Sequence, residues 1–210
     1  KPTHIKENTR AEVFCCAADC NDEAAVEEMS KKVAEALGGI DILVNSQGVN
    51  KKFSALDHPT AEWDEMFNAN VKSIMLTCKY FGRMMVEQRY GRIINVSSIG
   101  AVRAKMSDIS VCYGATKGAV DAYSLNLAAG WSQYGITVNC IGPIMTETEM
   151  MKPIFEKNPE LRDGTAARVP AGRIGLPEDC AGIALFFASD ASAFVSGQRV
   201  YADGGLMTLQ

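Results

Sequence analysis

The sequence predicts an α/β protein, a doubly wound parallel sheet in three α/β/α layers. Three observations predict it. Short apolar runs alternate with longer amphipathic stretches from residue 11 to residue 202, the order expected of repeated βα units. The short runs are apolar nearly throughout, as strands buried on both faces are. Polar residues collect just past or near the C-terminal ends of those runs, at Asp19, "NSQG" (45–48), Ser97-Ser98 and Pro143 to Thr148. Right-handed crossovers between parallel strands place such ends along one edge, where these folds bind ligands.

The elements follow in order. "AEVFCCAA" (11–18) reads as a strand, and residues 22–37 as a helix with Val26, Met29, Val33 and Leu37 on one face. Gly38-Gly39 stops that helix, because glycine accepts the left-handed conformation at a helix end. "IDILVNS" (40–46) is a strand, 60–89 is helical in two pieces, and "GRIINVSS" (91–98) is a strand. Residues 112–134 form a helix and "GITVNCIG" (135–142) a strand. After a polar, Met-rich stretch to about residue 172 come a helix from Pro177 to about Ser189 and a last strand, "QRVYA" (198–202). The chain reads as one domain over 1–210.

Composition narrows the function. The 210 residues are 47% hydrophobic with a net charge of −4, so there is material for a sizeable core and no basic stripe for nucleic acid or anionic membrane. No apolar run is long enough to span a bilayer. Seven cysteines, mostly in apolar segments, read as reduced thiols in a core and point to a cytoplasmic protein. Cys15, Cys16 and Cys20 lack metal-ligand spacing, and His4 and His58 stand alone, so no metal site is expected.

The chemistry centres on "SVCYGATKGAV" (110–120). Tyr113 and Lys117 lie four residues apart, one helical turn, and so are neighbours on the helix surface. An ammonium about 4 Å from a phenol is worth roughly 4 kcal/mol at an effective dielectric near 20, enough to pull a tyrosine toward neutral pH and make it a proton donor or acceptor. The bland alternative is a surface pair. Ser98, at the end of the preceding strand, tips the balance, since its hydroxyl can hold the same substrate oxygen. Gly114, Ala115, Gly118 and Ala119 would admit a ligand or a second helix.

With these residues the chain resembles the classical short-chain dehydrogenase/reductase family over essentially its whole length. The matching motifs are Tyr113-x-x-x-Lys117, "NVSS", Asn45-Ser46-Gln47-Gly48 for the family's NNAG, Asn68-Ala69-Asn70, "VNCIGPIMTET", "GRIGLPEDCA" (172–181) and "SGQRVYADGG" (196–205). The resemblance implies a Rossmann-like fold, an NAD or NADP cofactor, and interconversion of a secondary alcohol and a ketone. It implies Tyr113 as catalytic acid/base, Lys117 as the residue that lowers its pKa and holds the nicotinamide ribose, Ser98 as the carbonyl's orienter, and Asn70 in a proton relay. Asp19 and Cys20 would flank the adenine, Asn45 and Gly48 would line the cofactor path, and Pro143, Ile144, Thr146 and Thr148 would face the nicotinamide. Simpler roles remain open: Asn45 and Asn70 as caps, and Asp19 as a cap before the next helix.

Several departures qualify the match. Ile144 and Gln47 add bulk where the family has small residues. The interval from Ser98 to Tyr113 is longer than usual, and Ser97 and Ser110 are weaker candidates for the hydroxyl. The glycine-rich turn that opens such sheets is not found, so at least one βαβ unit, about 30 residues or more, is expected to be missing from this sequence. That leaves NAD against NADP undecided and keeps a non-catalytic binding protein on the same fold as an alternative. Residues 146–172 would form a flap over a small-molecule substrate. "RVPAGRIG" is similar to gluconate 5-dehydrogenases, which favours a sugar acid or polyol, and is common in 3-oxoacyl-carrier-protein reductases too. Arg103 or Lys105 would meet a substrate carboxylate, with plain solvated surface charges as the simpler reading. The stripe Gly118, Ala122, Leu125 and Ala129 implies a homodimer or homotetramer.

Overall fold

The computed structural model describes residue 9 and residues 11–104, 107–149 and 151–209. Four strands form one parallel sheet: β1 (Ile42–Asn45), β2 (Gly91–Val96), β3 (Ile136–Pro143) and β4 (Arg199–Ala202), in the spatial order β1-β2-β3-β4. The helices are α1 (Glu23–Leu37), α2 (Thr60–Phe67), α3 (Ser73–Gln88), α4 (Val111–Trp131), α5 (Lys152–Lys157), α6 (Pro159–Ala166) and α7 (Pro177–Ala188). The Met-rich stretch thus holds two short helices, each opened by a proline at its first or second position, where no N–H is needed.

Local chemistry explains the ends of α1. Asp22 accepts from the amides of Ala24 at 2.9 Å and Ala25 at 3.3 Å, satisfying two orphan donors of the first turn. Gly38, at φ 77°, ends the helix in the left-handed region. Val26 is buried, but Leu37 faces solvent, so the apolar face runs out one turn before the helix does.

Alternation along each strand sends side chains to opposite faces. On one face Leu43, Ile93, Ile136 and Val138 receive Ile74, Cys78, Phe81 and Met85 from α3 and Val120 and Ala128 from α4, with Met29 and Val33 of α1 at the margin. On the other face Ile94 and Ile141 receive Phe187 of α7, flanked by Ile183 and Ala184. Helices thus cover both faces, as a Rossmann-like fold requires. Strand order runs one way throughout, while α7 lies opposite α3 and α4. The last crossover therefore has the opposite hand, a departure from the expected right-handed series. The strands remain parallel, so their C-terminal ends still share an edge.

Two expectations fail here. Residues 11–19 form no strand. Apolar composition makes a strand possible, but its backbone groups need a paired neighbour, and none of the described strands pairs with this segment. Cys15 and Cys16 are exposed there and Cys20 is half-buried, whereas Cys78, Cys112 and Cys140 are in the core. Nor is β1 buried on both faces: Ile42 and Val44 are 42% and 49% exposed. The core on that face, built on Ile94 and Ile141, includes no β1 residue.

Gly135 turns the chain from α4 into β3 at φ 76°. A Cβ there would lie 2.5 Å from the Arg89 carbonyl oxygen, which is backbone and cannot swing aside. Left-handed strain of about 1–2 kcal/mol adds to overpacking of about 1–3 kcal/mol. Gly135→Ala should therefore lower the free energy of urea unfolding by at least about 2 kcal/mol, and an unchanged midpoint would refute this account of the turn.

Candidate active site

The site is built beside α4, whose Lys117 reaches the last carbonyl of β2. Helix α4 can press against the short 3₁₀ turn Ile99–Ala101 because of its glycine: a Cβ on Gly114 would lie 2.9 Å from the Gly100 carbonyl oxygen. That answers the run of small residues at this end of the helix. Ser98 precedes the turn, and its Oγ accepts from the Gly100 amide at 3.0 Å.

The structure brings Ser98, Tyr113, Lys117, Asn70 and Gly48 together. Ser98 Oγ and the Tyr113 ring meet over Gly100, where a Cβ would lie 3.3 Å from the one and 3.8 Å from the other. Burial pushes the Tyr113 phenol up from its ordinary pKa, and Ser98 pulls it partly back. Lys117 is not among the groups that shift it here. The Lys117 ammonium stands 5.8 Å from the Tyr113 ring centroid and donates to the Val96 carbonyl at 2.8 Å. It is itself pushed down to about 8, chiefly by burial.

Asn70 sits in a five-residue π-helical segment, Asn68–Lys72, between α2 and α3. Its Oδ1 accepts from the Val49 amide at 2.7 Å, and its Nδ2 donates to the Val49 carbonyl at 2.9 Å and to Thr116 Oγ1 at 3.0 Å. It is a clamp between the segment after β1 and helix α4 rather than a cap. Gly48 fits under it: a Cβ there would lie 2.9 Å from Asn70 Oδ1 and 3.6 Å from Lys117 Nζ.

Other candidates are placed differently. The Asn45 side chain is buried, donating to Asn95 Oδ1 at 2.8 Å and accepting from Thr77 Oγ1 at 2.8 Å. Its side-chain amide is absorbed between Asn95 and Thr77. Ser97 is buried against α4, with its hydroxyl 3.4 Å from the Lys117 carbonyl oxygen. Ser110 stands at the start of α4 with no side-chain cap bond. Asp19 is exposed and accepts from the Asn21 amide at 2.9 Å, shaping the turn before α1, which Asp22 caps. Cys20 lies in the same turn, its thiol pushed up by burial.

Past β3, Ile144 turns inward to pack with Val169 and Leu206, which explains how its bulk is accommodated. Thr146 bridges to Gly175, and its hydroxyl donates to the Ile144 carbonyl at 2.8 Å. Thr148 starts the turn into α5, its Oγ accepting from the Met151 amide at 3.3 Å. Pro143 ends β3. Arg103 spends one donor on the Leu206 carbonyl at 2.9 Å, and Lys105 lies outside the described residues. No metal-holding cluster of His, Cys, Asp or Glu occurs among the described residues.

Sequence reading missed Thr116 and Asp121. Thr116 receives the Asn70 amide. Asp121 repeats the four-residue spacing of Tyr113 and Lys117 once more, a signal visible in the sequence. A nicotinamide cofactor fits these residues. Lys117 offers three N–H donors, of which one is committed to Val96, and the Gly48 backbone lies close beside its ammonium. Tyr113 and Lys117 would hold the ribose hydroxyls, with residues 143–148 at the nicotinamide.

Comparison with known proteins agrees. A family model described as enoyl-(acyl carrier protein) reductase matches residues 2–207. A 3-oxoacyl-[acyl-carrier-protein] reductase FabG from Vibrio cholerae is 32% identical over 190 residues, 90% of this chain and 76% of that protein. A 2-dehydro-3-deoxy-D-gluconate 5-dehydrogenase from Formosa agariphila is 34% identical over 88% of this chain and 69% of that protein. The crystal structure of a gluconate 5-dehydrogenase from Burkholderia cenocepacia J2315, in complex with NADP and tartrate, matches at TM-score 0.85 and 32% identity, covering 91% of this chain and 74% of that one. The chain thus belongs to the classical short-chain dehydrogenase/reductase family, as an NAD(P)-dependent oxidoreductase.

Proposed function

We propose that the protein interconverts a secondary alcohol and a ketone, with Tyr113 as general acid/base. The observation that carries this is Ser98 beside the Tyr113 ring, with Lys117 buried one helical turn along. In reduction, a dihydronicotinamide held by Tyr113 and Lys117 would supply the hydride for the carbonyl carbon. Ser98 holds the carbonyl oxygen, and Tyr113 gives that oxygen its proton as the C=O electron pair moves onto it. A phenol whose pKa burial raises keeps its proton until the oxygen calls for it. Lys117 offers its remaining donors to the ribose and its positive charge to the tyrosinate that forms. Asn70, bonded to the Val49 carbonyl, stands where a backbone and water path could return the proton.

The substrate we favour is a sugar acid or polyol and its ketone, on the strength of the 2-dehydro-3-deoxy-D-gluconate and gluconate dehydrogenases among the relatives. The second reading is a 3-oxoacyl thioester, favoured by the FabG relative. Residues 146–172, carrying α5 and α6, would serve as the flap over either. We place the protein in the cytoplasm: no described helix is long and apolar enough to cross a membrane, a fact that fits this placement without requiring it. The outward stripe Gly118, Ala122, Leu125 and Ala129, with Leu125 exposed, supports a homodimer or homotetramer through α4. An assay with NADH and NADPH against keto sugar acids and 3-oxoacyl thioesters, with light scattering for mass, should give turnover on a keto sugar acid by a dimer or tetramer. Activity confined to the thioesters would replace the substrate, and a monomer mass would remove the interface.

Tyr113→Phe removes the proton and keeps the ring. It should leave the unfolding midpoint nearly unchanged and lower kcat by at least about 10²-fold, the scale of a lost general acid. Near-normal turnover would refute the role. The pH profile follows from Lys117, whose ammonium is charged below about 8. For reduction, kcat/KM should be level at neutral pH and fall as pH rises through about 8, and a profile rising there would contradict the assignment. Because the native lysine sheds its proton before the unfolded one does, its burial costs stability below about 8 and costs progressively less above it.

A further inference from the structure

Asp121 takes no part in the reaction as drawn, yet it is a carboxylate inside the protein. Its side chain is 8% exposed. Arg199 of β4 donates to its Oδ2 at 2.7 Å, while its Oδ1 is buried with no hydrogen-bond partner. Together with Arg199, Ala101, Gly118, Leu125 and Gly197 it lines a cavity of about 340 Å³, large enough to hold water. A buried carboxylate with a spare oxygen is costly unless its charge is used.

Lys117 lies one helical turn before it and is 4% exposed. An ammonium so deeply buried gives up its proton unless an anion is near, and its acceptor, the Val96 carbonyl, is neutral. The groups acting on it can be taken element by element. On α4 itself they are Tyr113, neutral at working pH, and Asp121. From β3 comes Cys140, whose thiol burial pushes up to about 12, so it brings no charge. From β4 comes Arg199, engaged with Asp121. The segment 68–72 contributes Asn70, which is uncharged, and the β2 end contributes Ser97 and Ser98. Asp121 is the anion of the set, and its field is the largest influence that opposes burial at Lys117. Burial raises the Asp121 carboxyl, and the Ser97 hydroxyl and Arg199 pull it back toward the ionised form.

We propose that Asp121 is a positioning residue: its carboxylate, buried one turn beyond Lys117 and fixed by Arg199, keeps the Lys117 ammonium charged in the dry interior and so sets the upper pH limit of the reaction. The inference rests on the reading of Tyr113 and Lys117 given above. The bland alternative is an ion pair that only ties α4 to β4. Such a tie would change stability without moving a titration.

The test is the pH profile of kcat/KM for carbonyl reduction in Asp121→Asn and Asp121→Glu. With the anion gone, Lys117 loses its proton earlier. The upper limb of Asp121→Asn should shift down by about one pH unit, about a tenfold loss of kcat/KM above the limb, and Asp121→Glu should restore most of it. A folded Asp121→Asn whose limb stays in place, or whose rate falls equally at every pH, overturns the proposal. A readout without turnover separates this from the parent reading: in protein labelled with ¹³C at lysine Cε, and assigned with Lys117→Arg, the Lys117 resonance should titrate at lower pH in Asp121→Asn than in wild type. If Asp121→Asn does not fold, the wild-type Lys117 resonance should still show a second inflection at acid pH as Asp121 takes up its proton, and its absence overturns the proposal. Undiminished turnover in Tyr113→Phe would break the parent reading, while the lysine titration stands or falls alone.

Discussion

A single buried amide, that of Asn70, holds the site together. Its two polar atoms make three hydrogen bonds, two to the backbone of Val49 and one to Thr116. Those bonds fasten the segment that follows β1 to the helix that carries Tyr113 and Lys117. Without them, the loop's orphaned amide and carbonyl would each carry a desolvation cost of about 1–3 kcal/mol. The five-residue π segment explains the aim of the side chain. One wider turn between α2 and α3 rotates the helix surface, and Asn70 is delivered inward where a regular helix would carry it elsewhere.

Around that clamp, burial dominates the electrostatics. A tyrosine and a lysine one turn apart suggest mutual attraction, but the ammonium is drawn to the Val96 carbonyl. Both groups are shifted toward their neutral forms by the loss of water around them. The phenol is thereby kept protonated, while the cation beside it is held at the edge of its charged range. Glycines set how closely these parts approach. Gly114 lets α4 meet the Gly100 carbonyl, and Gly48 leaves room between Asn70 and Lys117.

Much of this was legible in the residues, for local reasons. The α1 ends follow from Asp22 and Gly38, and the helix over 60–88 falls into two pieces joined by the π turn as its pattern suggests. Strand ends carrying polar residues marked the edge of the sheet. What stayed hidden depended on distant partners. "AEVFCCAA" has a strand's composition, but pairing is a condition on some other segment. The hand of the α7 crossover has no local signature. Asn45 looks like a cofactor ligand in its motif, yet Thr77 and Asn95, far along the chain, claim its amide. Ser97, just past β2, is carried under α4, while Ser98 stands beside the Tyr113 ring.

The central claim is that the Asn70 amide pins the segment after β1 to α4 and so assembles the site. Hydrogen exchange in wild type and Asn70→Ala tests it most directly. The account predicts that amides of residues 46–51 exchange at least about tenfold faster in the variant, as loss of a buried bond worth about 1.4 kcal/mol or more implies, while those of β2 and β3 stay protected. Equal exchange over 46–51 in the two proteins would contradict it.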